Sequence, residues 1–327
     1  MEHAKPARPT LSMQPANFAA KDPGPDGWRG LLDFARGADA AGLDRLVVAD
    51  HIVFGENMDA YTDPKKGGTK GGRQPTGPDG HWLEPLTLLS VMAGMTQNIR
   101  LMTGILLAGL RRPATLAKTT ATLDVLSGGR LDLGVGIGWQ REEYEANGIP
   151  HARRGDRLDH TLEICQLLWR EEVAAHSSQD VNFTKIHMQP KPLQPGGVPI
   201  WIGGSLHAAA MQRIVRFGSG WIPWGPDAAD PIAGLAKIRT ALAAAGRDSE
   251  GFEVTAYLPA VKDDSGKLDL EATTAPVPAM AEAGITDFRV RISLPKEADA
   301  VRDTIAPLVE SFGQAAGRPI SDEDTAP

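Results

Sequence analysis

The stretches of this chain best suited to chemistry are few. Asp50 and His51 close the apolar run Leu46-Val47-Val48-Ala49. An acid next to an imidazole at a strand end suits proton transfer or the anchoring of a heterocycle, because histidine titrates near neutral pH. A histidine that merely closes the strand is the competing reading. Gly134, Gly136 and Gly138 precede Trp139 and leave room for the backbone to approach a ligand. A dinucleotide fingerprint would read G-x-G-x-x-G in a first βαβ unit, whereas this run is G-x-G-x-G and falls in mid-chain. Gly203, Gly204 and Ser205 run straight into a helical stretch, whose free N–H groups and positive dipole end favour an anion. Ser205 would serve there either as a phosphate ligand or as the helix N-cap. One phosphorylated cofactor explains both glycine-rich segments better than two coincidences of turn chemistry.

These segments are positioned by an alternation of short β-rich runs and amphipathic helical stretches that repeats along nearly the whole chain. Strands are expected at residues 10–14, 46–49, 99–107, 131–135, 199–203, 220–223, 252–258 and 287–292. Helices are expected at 27–41, from Glu84-Pro85, from Pro113 to Gly128-Gly129, and at 153–171, 205–216, 228–245, 276–284 and 296–315. Eight β-then-α units with right-handed crossovers close a (β/α)₈ TIM barrel, an α/β fold whose strand C-termini form the active-site mouth. An open doubly wound sheet is the rival architecture. The expected organisation is a single domain over residues 1–327 with insertions at 51–82 and 173–197. The first insertion leaves the mouth directly after the second strand and is either a lid or a Gly- and Lys-rich surface loop. In the last strand Phe288, Val290 and Ile292 share one face and should meet the helices. Arg289 and Arg291 then point inward, where a buried charge needs an internal carboxylate or an anionic substrate.

Composition narrows the function. At 42% hydrophobic and 23% charged, the chain is globular. The net charge of −7, with no basic stripe, argues against nucleic acid. No apolar stretch approaches the roughly 18 residues needed to span a bilayer, and the first residues lack a continuous apolar core, so no membrane partner and a cytoplasmic location are expected. The one cysteine, Cys165, sits at helical spacing with Leu158, Leu162, Leu168 and Trp169 and reads as a core thiol. The eight histidines show no metal-ligand spacing, so no metal is expected, and neither a GxSxG elbow nor a phosphate loop is present.

Segments 44–53, 83–148, 153–169 and 198–204 together resemble the luciferase-like monooxygenase superfamily, and most closely its coenzyme F420-dependent branch. The resemblance implies a barrel with insertions over its mouth, usually a homodimer, with a flavin or deazaflavin ring laid into the mouth. It implies that Asp50 and His51 lie beside the redox-active ring edge. A bulge with a non-proline cis peptide pressing on the ring would map onto Gly104-Ile105, after Thr103. Phosphate contacts would map onto Gly136, Gly138, Gly203, Gly204 and Ser205. One departure matters. The sugar-phosphate dehydrogenases of this branch carry a catalytic glutamate directly after the glycine run, and here that position is Trp139, which suits a flat or apolar substrate. Glu142 and Glu143 lie one helical turn further on, and the sequence assigns neither a proton-transfer role.

The reading is therefore an oxidoreductase that transfers a hydride between F420 and a small organic substrate, with His51 as acid/base. Trp139, Arg289 and Arg291 are the substrate candidates. The alternatives are an FMN-dependent monooxygenase that uses O₂ and reduced flavin from a partner reductase, and a non-catalytic flavin- or deazaflavin-binding protein. The Asp50-His51 pair argues against the last.

Overall fold

A computed structural model describes residues 8–24, 26–63, 68 and 72–318. Its frame is a closed barrel of eight parallel strands. In chain order the strands are β1 (Thr10–Met13), β2 (Phe18–Ala19), β3 (Arg45–Val48), β4 (His81–Trp82), β5 (Arg100–Leu106), β6 (Leu131–Val135), β7 (Ala174–Ser177), β8 (Asn182–Ile186), β9 (Ile200–Gly204), β10 (Gly220–Pro223), β11 (Glu253–Leu258) and β12 (Asp287–Val290). The barrel runs β1-β12-β11-β10-β9-β6-β5-β3 and closes through β1 and β3. β2 pairs with β4, and β7 with β8, as small antiparallel sheets outside it.

The helices are α1 (Arg29–Ala40), α2 (Pro85–Ala93), α3 (Pro113–Leu126), α4 (Arg141–Ala146), α5 (Arg154–Arg170), α6 (Ala208–Phe217), α7 (Pro231–Ala244), α8 (Leu270–Thr274), α9 (Val277–Glu282) and α10 (Ala298–Ala315). Proline opens α2 and α3 at the first turn, where its missing N–H costs nothing. The span 276–284, expected as one helix, is preceded by the separate α8, and Pro276 stands as the N-cap of α9. The insertion at 173–197 contains the β7–β8 hairpin, and the short helix α4 was not foreseen.

Alternation within each strand divides the barrel into two layers. Outward residues such as Leu46, Leu133, Phe288 and Val290 join the helices in the main core, where the Phe288 and Phe312 rings meet at 5.4 Å. The floor of the barrel interior, at the strand N-termini, is ionic. Arg45 reaches Asp287 (2.8 Å), Asp132 (3.1 Å) and Glu253 (3.3 Å), and Arg100 holds Asp132 at 2.7 Å. Above it Val47, Met102, Trp201 and Ile222 pack together. Arg289 points inward as expected, but it is spent in this floor: Nη2 lies 3.3 Å from Asp287 Oδ2 and Nε donates to Ser12 Oγ at 3.3 Å. β12 ends at Val290, so Arg291 and Ile292 leave the strand and Arg291 lies exposed at the rim. Cys165 is buried in α5, and burial pushes its thiol pKa up.

Candidate active site at the barrel mouth

Asp50 and His51 follow β3 directly, so the fold delivers both to the mouth, but each has a different partner. The Asp50 carboxylate is buried and turned to the segment after β5. It accepts the Leu107 N–H (2.8 Å) and takes Arg111 in a two-pronged grip at 2.6 and 3.1 Å. Both oxygens are thereby used, and Arg111 also reaches Glu84 at 2.8 Å. This accounts for Asp50 by position: it ties the end of β3 to the end of β5.

His51 faces Glu143 instead, from α4. Its Nδ1 lies 3.3 Å from Glu143 Oε1, which also accepts the Ile52 N–H at 2.8 Å. The approach is close enough for an ion pair with a protonated ring, yet off the hydrogen-bond axis, and both His51 Nδ1 and Glu143 Oε2 are buried without a hydrogen-bond partner. On the other side of the ring, Gln74 Nε2 lies 3.3 Å from His51 Nε2. With the Gln74 amide nitrogen donating in this orientation, Nε2 accepts, and the tautomer that matches it carries its proton on Nδ1, on the Glu143 side. Aromatic rings enclose the imidazole: Phe54 at 4.3 Å, Trp82 at 4.7 Å and Trp139 at 5.9 Å between centroids.

Glu143 is the residue that sequence reasoning left without a role. Its signal was slight. It stands in the first turn of a short helix beside Tyr144, and both are buried while Glu142 is not. Tyr144 donates to the Ile137 carbonyl, which fixes α4 against the glycine run, and burial raises its phenol pKa.

The floor of the mouth is built around Ile105. The peptide Gly104-Ile105 is cis, within a register shift between Thr103 and Leu106 on β5. A side chain on Gly203 would meet Ile105 Cγ2 at 2.4 Å, and one on Gly136 would meet Ile105 Cδ1 at 3.1 Å. These two glycines therefore make room for Ile105, a packing reason for them that the sequence did not supply. Thr103 is fully buried and donates to the Gly134 carbonyl at 2.8 Å. Gly138, at φ +67°, packs on Leu107. Gly204 differs: it holds φ +148° with nothing within 4 Å of where a Cβ would stand, so the open space at this strand end lies there. Ser205 next to it is not the helix N-cap. His207 takes that place and accepts the Ala210 N–H, while Ser205 Oγ donates to the Trp224 carbonyl at 2.9 Å and the Leu206 N–H goes to Asp227.

The described part of the first insertion crosses the mouth. Gln140 Nε2 donates to the Gly55 carbonyl at 3.1 Å, and the turn Met58–Thr62 lays Tyr61 against Trp139 (5.5 Å) and Trp224 (6.0 Å). Residues 64–67 and 69–71 of that insertion lie outside the described residues. A separate cleft of about 780 Å³ opens beside the mouth, lined by Arg112, Arg153, Arg157 and His160 among others. It shares Arg111 with the site and none of its aromatic residues.

A planar redox ring fits this mouth on the chain's own geometry. Ile105 forms a raised apolar floor and Gly204 leaves space at a strand end. The profile of the luciferase-like monooxygenase family matches residues 10–283, and the chain belongs to that family. It is 35% identical over 207 residues to the uncharacterized protein Rv0953c of Mycobacterium tuberculosis (strain ATCC 25618 / H37Rv), which covers 63% of this chain and 68% of that protein. Its fold is similar to that of monooxygenase RslO1 from Streptomyces bottropensis (TM-score 0.67, 20% identity, 94% of this chain and 98% of the other). It is similar also to an F420-dependent secondary alcohol dehydrogenase in complex with an F420-acetone adduct (TM-score 0.68, 16% identity, 93% and 99%). Among the described residues, no helix is long and apolar enough to cross a membrane.

Proposed function

We propose that this protein is an F420-dependent oxidoreductase that exchanges a hydride with a small organic substrate, using His51 as its acid/base. The observation that carries this reading is the His51 imidazole at the barrel mouth, with its Nδ1 3.3 Å from the buried Glu143 carboxylate and its accepting Nε2 turned to the opposite side. When bound, the deazaflavin supplies the hydride chemistry. Ile105 and the open strand end at Gly204 and Ser205 would hold it. With the substrate in place of the Gln74 amide, His51 Nε2 takes or returns the substrate proton, and Glu143 stabilises the imidazolium that forms. Phe54 and Trp82 keep water from the ring and so strengthen that pairing. The F420-dependent enzyme of the same fold supports the choice of cofactor, as does His51 at the end of the second barrel strand, whereas Asp50 is taken up by Arg111 and Leu107.

The test is anaerobic single turnover with reduced and oxidised F420 against a panel of small alcohols, ketones and activated alkenes. His51→Asn should slow the transfer by on the order of 10²-fold or more while cofactor affinity stays within a few fold. Turnover that requires O₂ and reduced FMN would point to the monooxygenase alternative, and turnover by neither cofactor to a binding protein.

A further inference from the structure

We propose that the mouth takes a planar aromatic ring bearing an anionic oxygen group, seated where Tyr61 now lies between Trp139 and Trp224, with the anion toward Arg291. The chemistry that would follow rests on the oxidoreductase reading, whereas the binding itself does not.

The side chains that point to this ligand come from separate elements. Trp224 follows β10 and is 38% exposed, and Tyr257 on β11 is 43% exposed. Large rings left open at the ends of barrel strands lack the partners that would take them out of water. Between Trp139 and Trp224 lies the phenol of Tyr61, tilted 66° to one indole and 57° to the other. Tyr61 arrives on a short turn of the insertion and is no part of the barrel, so it can be withdrawn without disturbing a strand.

Two polar groups define what the seat wants. The Trp139 indole Nε1–H is buried without an acceptor, and Trp139 itself is only 6% exposed. A buried donor left without an acceptor is costly, and an acceptor on the ligand would recover that cost. Arg291 forms no ion pair among the described residues. Its guanidinium leans over the Tyr257 ring at 5.5 Å, and its hydrogen bond goes to the neutral Gln14 amide at 3.4 Å. A rim arginine held only by neutral groups is free to take a carboxylate or phenolate in its planar fork. Tyr61 already models such a ligand, an aromatic ring with an acidic oxygen. Burial raises its phenol pKa, and the Arg291 charge works the other way, favouring the anion.

The full chain is titrated with benzoate, benzyl alcohol and cyclohexanecarboxylate, first alone and then saturated with F420, following tryptophan fluorescence and binding heat. Benzoate should bind about tenfold or more tightly than either of the other two, since benzyl alcohol lacks the charge and cyclohexanecarboxylate the flat ring. Arg291→Gln, at an exposed position, should drop benzoate to the level of benzyl alcohol and leave benzyl alcohol unmoved. Tyr61→Ala should tighten benzoate by vacating the seat. Equal binding of benzoate and either analogue, an unchanged preference in Arg291→Gln, or no binding of any probe would overturn the proposal. Benzoate selectivity in a chain that binds neither F420 nor FMN would uphold it while refuting the oxidoreductase reading.

Discussion

The Nδ1 atom of His51 and the Oε1 atom of Glu143 stand 3.3 Å apart, with the same Oε1 holding the backbone N–H of Ile52. One carboxylate thus fixes both the loop that carries the imidazole and the ring itself. Glu143→Gln keeps the shape and the Ile52 contact but removes the charge that an imidazolium needs. Turnover should fall by about tenfold or more with cofactor affinity little changed, and the pH profile of kcat should shift with it. An unchanged pH profile would leave Glu143 a loop anchor only.

The Asp50–Arg111 pair makes a stability prediction. Arg111→Met leaves a fully buried carboxylate with only the Leu107 N–H, and removing one partner of a buried pair costs about 3–5 kcal/mol. Asp50→Asn should cost less, because Arg111 retains Glu84 and is partly exposed. Urea unfolding of both variants checks the order, and a milder effect for Arg111→Met would contradict it.

Gly203→Ala should destabilise by about 1–3 kcal/mol, because its Cβ would press on Ile105 Cγ2. Ile105→Ala removes that atom, so in the double variant most of the penalty should vanish. A double-mutant cycle on stability and cofactor affinity separates this packing cause from a direct clash with phosphate, for which the two changes would simply add.

The β7–β8 hairpin should loosen in acid. His160 on α5 and His176 on β7 place their Nε2 atoms 3.1 Å apart, and Ser178 adds a contact to His160 at 3.0 Å. Burial first, then the neighbouring His176 and Arg157, holds the His160 pKa below its ordinary 6.5. A base whose folded pKa is lowered binds fewer protons than the unfolded chain just below 6.5, so stability rises with pH through that window and is lost as pH falls. Amides of Asn182–Ile186 should lose exchange protection near about pH 5 relative to neutral, and His160→Gln should remove the difference.

The barrel was legible in the sequence because its strands are short apolar runs bounded by glycine and proline, and β6 and β10 have the expected bounds. The mouth was legible for the same reason, since a strand's end places His51 regardless of its partner. The partners were not. Glu143 and Arg111 are brought to His51 and Asp50 by the packing of loops after different strands, and local spacing carries no record of that. Nor could a glycine show whether its missing side chain makes room for a ligand or, as at Gly203, for Ile105. The β7–β8 hairpin escaped notice because Ala174–Ser177 and Asn182–Ile186 are largely polar and only partly buried.

The central claim is that this mouth is built for F420, and equilibrium titration of the purified protein with F420 and with FMN, followed by fluorescence quenching, tests it most directly. The account predicts that F420 binds about tenfold or more tightly than FMN. Equal affinities, or a preference for FMN, would contradict it.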